Sequence, residues 1–190
     1  MKELVKYGIT GTVEAGVGPE MCRAYQNLKS RNELLLRVAL MPNWYGFTLT
    51  QNMERMARFI DEFGFYTGYG DDWVRLSGLK MAIDGGLTSK TALKSWEYLG
   101  GDPAGEVPLR LDLKKLDGWV KQAHDANWSV GIHVMGDIAI EKAVNAIHRA
   151  FQANPAPRQH QLVHAYYPSA DSLNKMREVG AVVAVEPAFI

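Results

Sequence analysis

"RLSGLKMAIDGG", Arg75 to Gly86, places a lysine in the middle of a short apolar run. Successive side chains on a strand point to opposite faces. One face of this stretch is then Ser77, Leu79, Met81 and Ile83, suited to packing against helices. The other is Leu76, Gly78, Lys80, Ala82 and Asp84. Lysine is almost never fully buried without a partner. Lys80 therefore belongs to the face turned away from the helices, where Gly78 and Ala82 leave room beside it. The stretch predicts one strand over 75–84, covered by helices on one side and carrying polar chemistry on the other.

Outward from it, strand-like and helix-like segments alternate. Strands are predicted at Ile9–Gly16, Leu34–Asn43, Trp128–Asp137, His160–Tyr167 and Ala181–Phe189. Helices are predicted at Pro19–Ser30, at Thr50–Phe63 (opened by Thr50), at about Asp112–Asn127, and at Ile138–Gln152 and Ser169–Val179. A long loop with glycine and proline, Gly85–Pro108, follows the lysine strand. Strands joined by helical crossovers imply parallel βαβ units in an α/β fold. A doubly wound sheet usually carries a glycine-rich phosphate turn after its first strand. "EAGVGPEM" lacks the third glycine, so that signal is weak, and part of a (β/α)8 barrel fits the order of elements as well. A whole barrel has about 250 residues and eight strands, and this chain has 190 residues. The opening "MKELVKYG" reads as the last turns of a helix and "GAVVAVEPAFI" as an abrupt final strand, the pattern of an incomplete barrel.

Alternation brings other polar residues to the side of Lys80. In "SVGIHVMG", Val130, Ile132 and Val134 face the helices and His133 lies opposite, above Gly131. In "HQLVHAYY", Val163 and Ala165 are assigned to the helix side, and His160, Leu162, His164 and Tyr166 to the inner side. His124 and His148 fall on helices and are expected to be solvated. Lys80, His133 and His164 thus project inward near the C-terminal ends of three strands, where barrels gather their catalytic residues. A lone inward histidine is usually a satisfied core residue, and a strand lysine an edge residue; three together argue for a site. Imidazoles are good ligands for zinc and similar metals. An ammonium is no ligand, but a neutral lysine amine adds to carbon dioxide, forming an N–C bond and releasing a proton. The product is a carbamate, an anionic oxygen ligand. A Schiff base is the other chemistry open to a buried lysine, but it has no need of two inward histidines.

Net charge is zero and 22% of residues are charged, which argues against nucleic acid or an anionic membrane as partner and leaves a small-molecule substrate. Cys22 is the only cysteine, so no disulfide forms within the chain and a cytoplasmic location is expected. No apolar run approaches the roughly 20 residues of a membrane span.

"LKMAIDGGLTSKTA" (79–92), "IHVMGDIAIEKAVNAI" (132–147) and "HQLVHAYYPSADSLNKMREVGAVVAVEPAF" (160–189) resemble amidohydrolase family 3. That group of metal-dependent amidohydrolases includes YtcJ-like proteins and N-substituted formamide deformylases. "YGITGTVEAG" (7–16) is similar to the family's second-strand segment. The resemblance implies a distorted (β/α)8 barrel, of which 1–190 would supply about strands 2 to 7. It implies one or two divalent metals, usually zinc, with Lys80, His133 and His164 as ligands and Lys80 carboxylated by carbon dioxide. Asp84, Gly85 and Gly86 match a segment near the substrate, and Trp96 in the same loop is a further substrate-binding candidate. Asp137 is expected to cap the following helix. The implied activity is hydrolysis of non-peptide C–N bonds in amides or formamides by metal-activated water. The family's first-strand His-x-His does not occur here, and its eighth-strand aspartate, the general base, would lie beyond the C-terminus. The piece is therefore expected to be inactive by itself. Two readings stand against this one: a non-catalytic barrel fragment with a structural or interaction role, and a Schiff-base lyase using Lys80.

Overall fold

The computed structural model describes residues 1–43, 53–100 and 107–186. Two parallel sheets are layered against helices. The first contains β1 (Gly11–Val17), β2 (Arg37–Pro42) and β3 (Val74–Leu76), and the second β4 (Leu79–Ala82), β5 (Val130–Val134), β6 (Gln161–His164) and β7 (Val182–Ala184). Every pair of neighbours is parallel and follows chain order. A doubly wound sheet reverses strand order at its binding crevice; neither sheet does so. The helices are α1 (Lys2–Lys6), α2 (Pro19–Ser30), α3 (Met53–Glu62), α4 (Leu116–Asp125), α5 (Asp137–Ala153) and α6 (Ala170–Val179). Thr50 and the end of the last predicted strand, 187–189, lie outside the described residues.

The predicted strand over 75–84 is in fact two. Val74–Leu76 pairs with β2, while Leu79–Ala82 pairs with β5, and the break falls at Ser77–Gly78. Gly78 is needed there because a Cβ would lie 2.9 Å from the Ser129 carbonyl oxygen. One segment thus leaves the first sheet and enters the second.

The alternation read from the lysine stretch is present in β4. Leu79, Met81 and Ile83 are fully buried in the main core, with Val130, Ile132 and Val134 of β5. Helix α5 covers them with Ala139, Ala143, Ala146 and Ala150, whose small side chains let the helix lie close, and with Ile140, Val144 and Ile147. A smaller core of Val17, Leu34, Leu36, Val38, Leu40 and Val74 packs beneath Cys22, Tyr25 and Leu28 of α2. Fully burying one such aliphatic side chain contributes about 1.5–3 kcal/mol. Ser169 caps α6, accepting from the Ser172 N–H at 3.1 Å, and Gly180 ends it in the left-handed conformation.

The assignment of faces in β6 is corrected. Leu162 pairs with Ile132 and is fully buried among the helices, whereas Val163 pairs with His133 on the inner side. His160, one residue pair before Leu162, is likewise on the helix side and is 1% exposed. His124 is not solvated either: it is fully buried, its Nδ1 2.9 Å from His160 Nε2. His148 lies 3.0 Å from Glu178, linking α5 to α6.

Candidate metal centre

By simple alternation His164, paired with Val134, should have followed Leu162 to the helix side. It does not, because β6 ends there in an unusual backbone. His164 has φ +77° and Ala165 φ +49°, both left-handed. That conformation costs a residue with a Cβ of the order of 1–2 kcal/mol. The Ala165 N–H still reaches the Val134 carbonyl at 3.0 Å, so the turn stays anchored to β5. The imidazole of His164 is thereby brought edge-on to that of His133, ring centres 4.5 Å apart.

His133 lies next to Ala82 in register, and Lys80 next to Gly131, so lysine and histidine share the inner face two positions apart. A Cβ on Gly131 would come within 2.5 Å of Met41 Sδ from β2, so glycine makes room for that side chain across the interior. Gly16, at a bulge in β1 with φ +94°, approaches the Lys80 stem: its Cβ would sit 3.9 Å from Lys80 Cγ. Lys80 is 9% exposed, and its ammonium donates to the Met81 carbonyl at 3.2 Å. Desolvation lowers its pKa from 10.5 to about 8, against the attraction of the nearby Glu186 carboxylate. At about 8, roughly a tenth of the amine is neutral at pH 7.

The two histidines have complementary ring nitrogens. His133 Nε2 lies 2.9 Å from the Gly85 carbonyl oxygen, which can only accept, so Nε2 carries the proton and Nδ1 keeps its lone pair. Desolvation lowers the His133 pKa to about 4, opposed by the Gly85 bond and helped by the electrostatic influence of Lys80, His164 and Arg110. A neutral imidazole is the form that binds a metal. His164 Nδ1 lies 2.6 Å from Glu186 Oε2, leaving Nε2 as its free nitrogen. Tyr166 donates to the same carboxylate oxygen at 3.0 Å. Two imidazoles, each with one nitrogen tied to a protein acceptor, beside a buried lysine of depressed pKa, make a donor set that fits a divalent metal. Among the described residues no group of three or more His, Cys, Asp or Glu is placed to hold one. Among the described residues, these two ring nitrogens and Lys80 are the candidate ligands.

The substrate-binding candidates have distinct positions. Asp84 is 1% exposed, and its carboxylate accepts the N–H groups of Leu93 (2.8 Å), Met135 (3.0 Å) and Gly136 (2.9 Å). Burial raises its pKa, and those three bonds work in the opposite direction. Its oxygens fasten the loop after β4 to the start of α5. Gly85 and Gly86 form a tight turn around Thr91: a Cβ on Gly85 would lie 2.0 Å from Thr91 Oγ1, which accepts from the Gly86 N–H at 3.0 Å. Asp137 does not cap α5, whose N-cap is Gly136; its carboxylate instead accepts from the Ser95 N–H and hydroxyl at 2.8 and 2.6 Å. These bonds hold Trp96, 40% exposed, edge-on to Tyr167 at 5.0 Å, just beyond the end of β6. Buried Lys94 donates to the Trp96 carbonyl and lies 3.6 Å from the Tyr98 ring centre.

Sequence reasoning gave Glu186, Tyr166, Arg110 and Met41 no role in the site. Glu186 carried the signal that picked out Lys80, a lone charge in an apolar strand, here "AVVAVEPA". A separate cleft of about 500 Å³, lined by Cys22, Leu40, Phe63, Val74 and Leu76 among others, opens on the helix side of the first sheet and includes none of the three ligand candidates.

A parallel α/β chain with histidines at adjacent strand ends defines the class of protein to which it compares. The structure is similar to an uncharacterized metal-dependent hydrolase from Pyrococcus furiosus (TM-score 0.78, 21% identity), covering 99% of this chain and 36% of that one. A second uncharacterized metal-dependent hydrolase, from Pyrococcus horikoshii, gives 0.76 and 22%, covering 99% and 35%. In sequence, 118 residues are 30% identical to the Arabidopsis thaliana protein LONG AFTER FAR-RED 3, 61% of this chain and 20% of that protein. The putative amidohydrolase YtcJ of Bacillus subtilis is 25% identical over 118 residues, 62% and 22%. The amidohydrolase family model matches residues 1–190, and the chain belongs to that family. It spans about a third of the similar solved structures, and the matched part is about a fifth of the curated relatives. No helix among the described residues is long and apolar enough to cross a membrane.

Proposed function

We propose that this chain forms about strands 2 to 7 of a (β/α)8 barrel in a metal-dependent amidohydrolase acting on non-peptide C–N bonds of small amides or formamides. The observation that carries the reading is the meeting of His133 and His164 on the Lys80 side of the sheet, each with one ring nitrogen bonded to a protein acceptor. His133 Nδ1 and His164 Nε2 would hold a divalent ion such as zinc, and Lys80 would join them as a carbamate. The bound metal supplies a Lewis acid for the carbonyl and lowers the pKa of water. Burial favours the carbamate by making the neutral amine far commoner than in a solvated lysine. The fastened loop from Gly85 to Trp96, with Tyr167, would shape the substrate side, the aromatic faces receiving an apolar group.

Metal analysis of the full-length protein tests the reading. The wild type is expected to hold zinc or a similar divalent ion, His133→Ala and His164→Ala to lose it, and Lys80→Ala to lose part of it. Unchanged metal content in all three variants would overturn it. Trapping of a carbonyl substrate on Lys80 by borohydride would instead establish the lyase.

A further inference from the structure

The carboxylate of Glu186 is the acceptor on which His164 and Tyr166 converge. At 2.6 Å, the His164 Nδ1 contact with Oε2 is a short hydrogen bond to a charged acceptor, the strong kind. The Tyr166 hydroxyl lies 3.0 Å from the same oxygen and 3.2 Å from the Glu186 carbonyl, tying the carboxylate to its own backbone. The left-handed pair His164–Ala165 is an unfavourable backbone for residues with a Cβ. Such a conformation persists where its surroundings over-determine it. From one side it is held by the Ala165 N–H on β5, and from the other by Glu186 on the chain after β7.

We propose that Glu186 is a positioning residue for His164. It accepts the Nδ1 proton, which fixes the tautomer and aims the Nε2 lone pair into the site, and Tyr166 holds Glu186 in place. A carboxylate behind a ligating imidazole also makes the ring a stronger base, and removing such a partner typically costs 10–100-fold in metal affinity. The proposal rests on the metal-centre reading for its consequence, but the tautomer of His164 is a property of the metal-free protein.

The experiment uses the full-length protein and its Glu186→Ala, Glu186→Gln and Tyr166→Phe variants, with thermal melts to check folding. Zinc affinity is measured by competition with a chromogenic chelator, and the His164 tautomer by ¹⁵N resonances of the metal-free protein. Glu186→Ala is expected to weaken zinc binding about 10–100-fold and to move the proton from Nδ1. Glu186→Gln keeps an acceptor oxygen without the charge, so it should retain the tautomer with a smaller loss. Tyr166→Phe should lose least. Wild-type zinc affinity in Glu186→Ala, or an unchanged tautomer, would overturn the proposal. If Glu186→Ala does not fold, wild-type affinity in Glu186→Gln would overturn it. A wild type that binds no zinc would sink the metal centre itself, while the tautomer would still decide what Glu186 does.

Discussion

Lys80 shows how a site can be costly to its own fold. Its pKa, lowered from 10.5 to about 8, means that the unfolded chain binds the proton more tightly than the folded one. The full penalty applies below about pH 8, is relieved as pH rises from there to 10.5, and amounts to about 3 kcal/mol at neutral pH. Lys80→Met should therefore stabilise the metal-free protein at pH 7 by up to about 3 kcal/mol, a gain that fades above pH 8; urea unfolding across that range measures it. His164 is the contrasting residue. Its inward direction was inferred by counting alternate positions from a mistaken starting face. The destination is inward only because two left-handed residues turn the chain at the end of β6. Neither histidine nor alanine announces φ above zero, as glycine would. Alternation was legible for Lys80 and His133, whose strands run regularly past them, and not for His164.

At the scale of elements, the loop after β4 is held by side chains rather than by regular structure. Asp84 binds three backbone N–H groups from two segments, and Asp137 binds Ser95. Asp84→Ala would leave those three donors without an acceptor. A loss of about 3–5 kcal/mol is expected, since bonds to a charged group are worth about 1.5–3 kcal/mol each and do not add fully. Chemical denaturation measures the loss, and faster amide exchange from Gly85 to Tyr98 should accompany it. Gly136→Ala should release the same loop by another route, because its Cβ would lie 1.9 Å from the Leu93 carbonyl oxygen. Limited proteolysis should then cut the loop sooner than in wild type. The helices were the most legible elements: α2 matches its predicted span at both ends, because Pro19 at its first turn and the apolar spacing mark it locally. The break at Ser77–Gly78 was not, since which sheet each half joins depends on Leu40 and Ser129, far away in sequence.

Across the whole molecule, a buried chain of hydrogen bonds ties α4 to the far end of the second sheet. The Val130 N–H donates to His160 Nδ1 at 3.1 Å, which places the His160 proton on Nε2, facing His124 Nδ1 at 2.9 Å. His124 Nε2 then donates to the Asn154 carbonyl at 2.8 Å. Desolvation lowers the His160 pKa to about 3, and the electrostatic influence of His124 and of the Arg158 guanidinium acts in the same direction. The unfolded chain takes up this proton near pH 6.5 and the folded one does not. Stability should be full above about 6.5 and fall by up to about 1.4 kcal/mol per pH unit toward pH 3. Thermal melts between pH 7 and 4 should show this slope, and His160→Gln should flatten it. That pair was expected to be one solvated and one inward histidine, because a sequence shows neither the depth of α4 nor the starting face of β6. What the sequence determined by itself was the alternating α/β order, the inner face of the lysine strand and the family, since these rest on local periodicity and motif. The tertiary structure alone decided the split of that strand, the turn of His164 toward His133, and the meeting of Glu186 with His164 and Tyr166. Those depend on contacts between residues distant in the chain, and no local pattern encodes them.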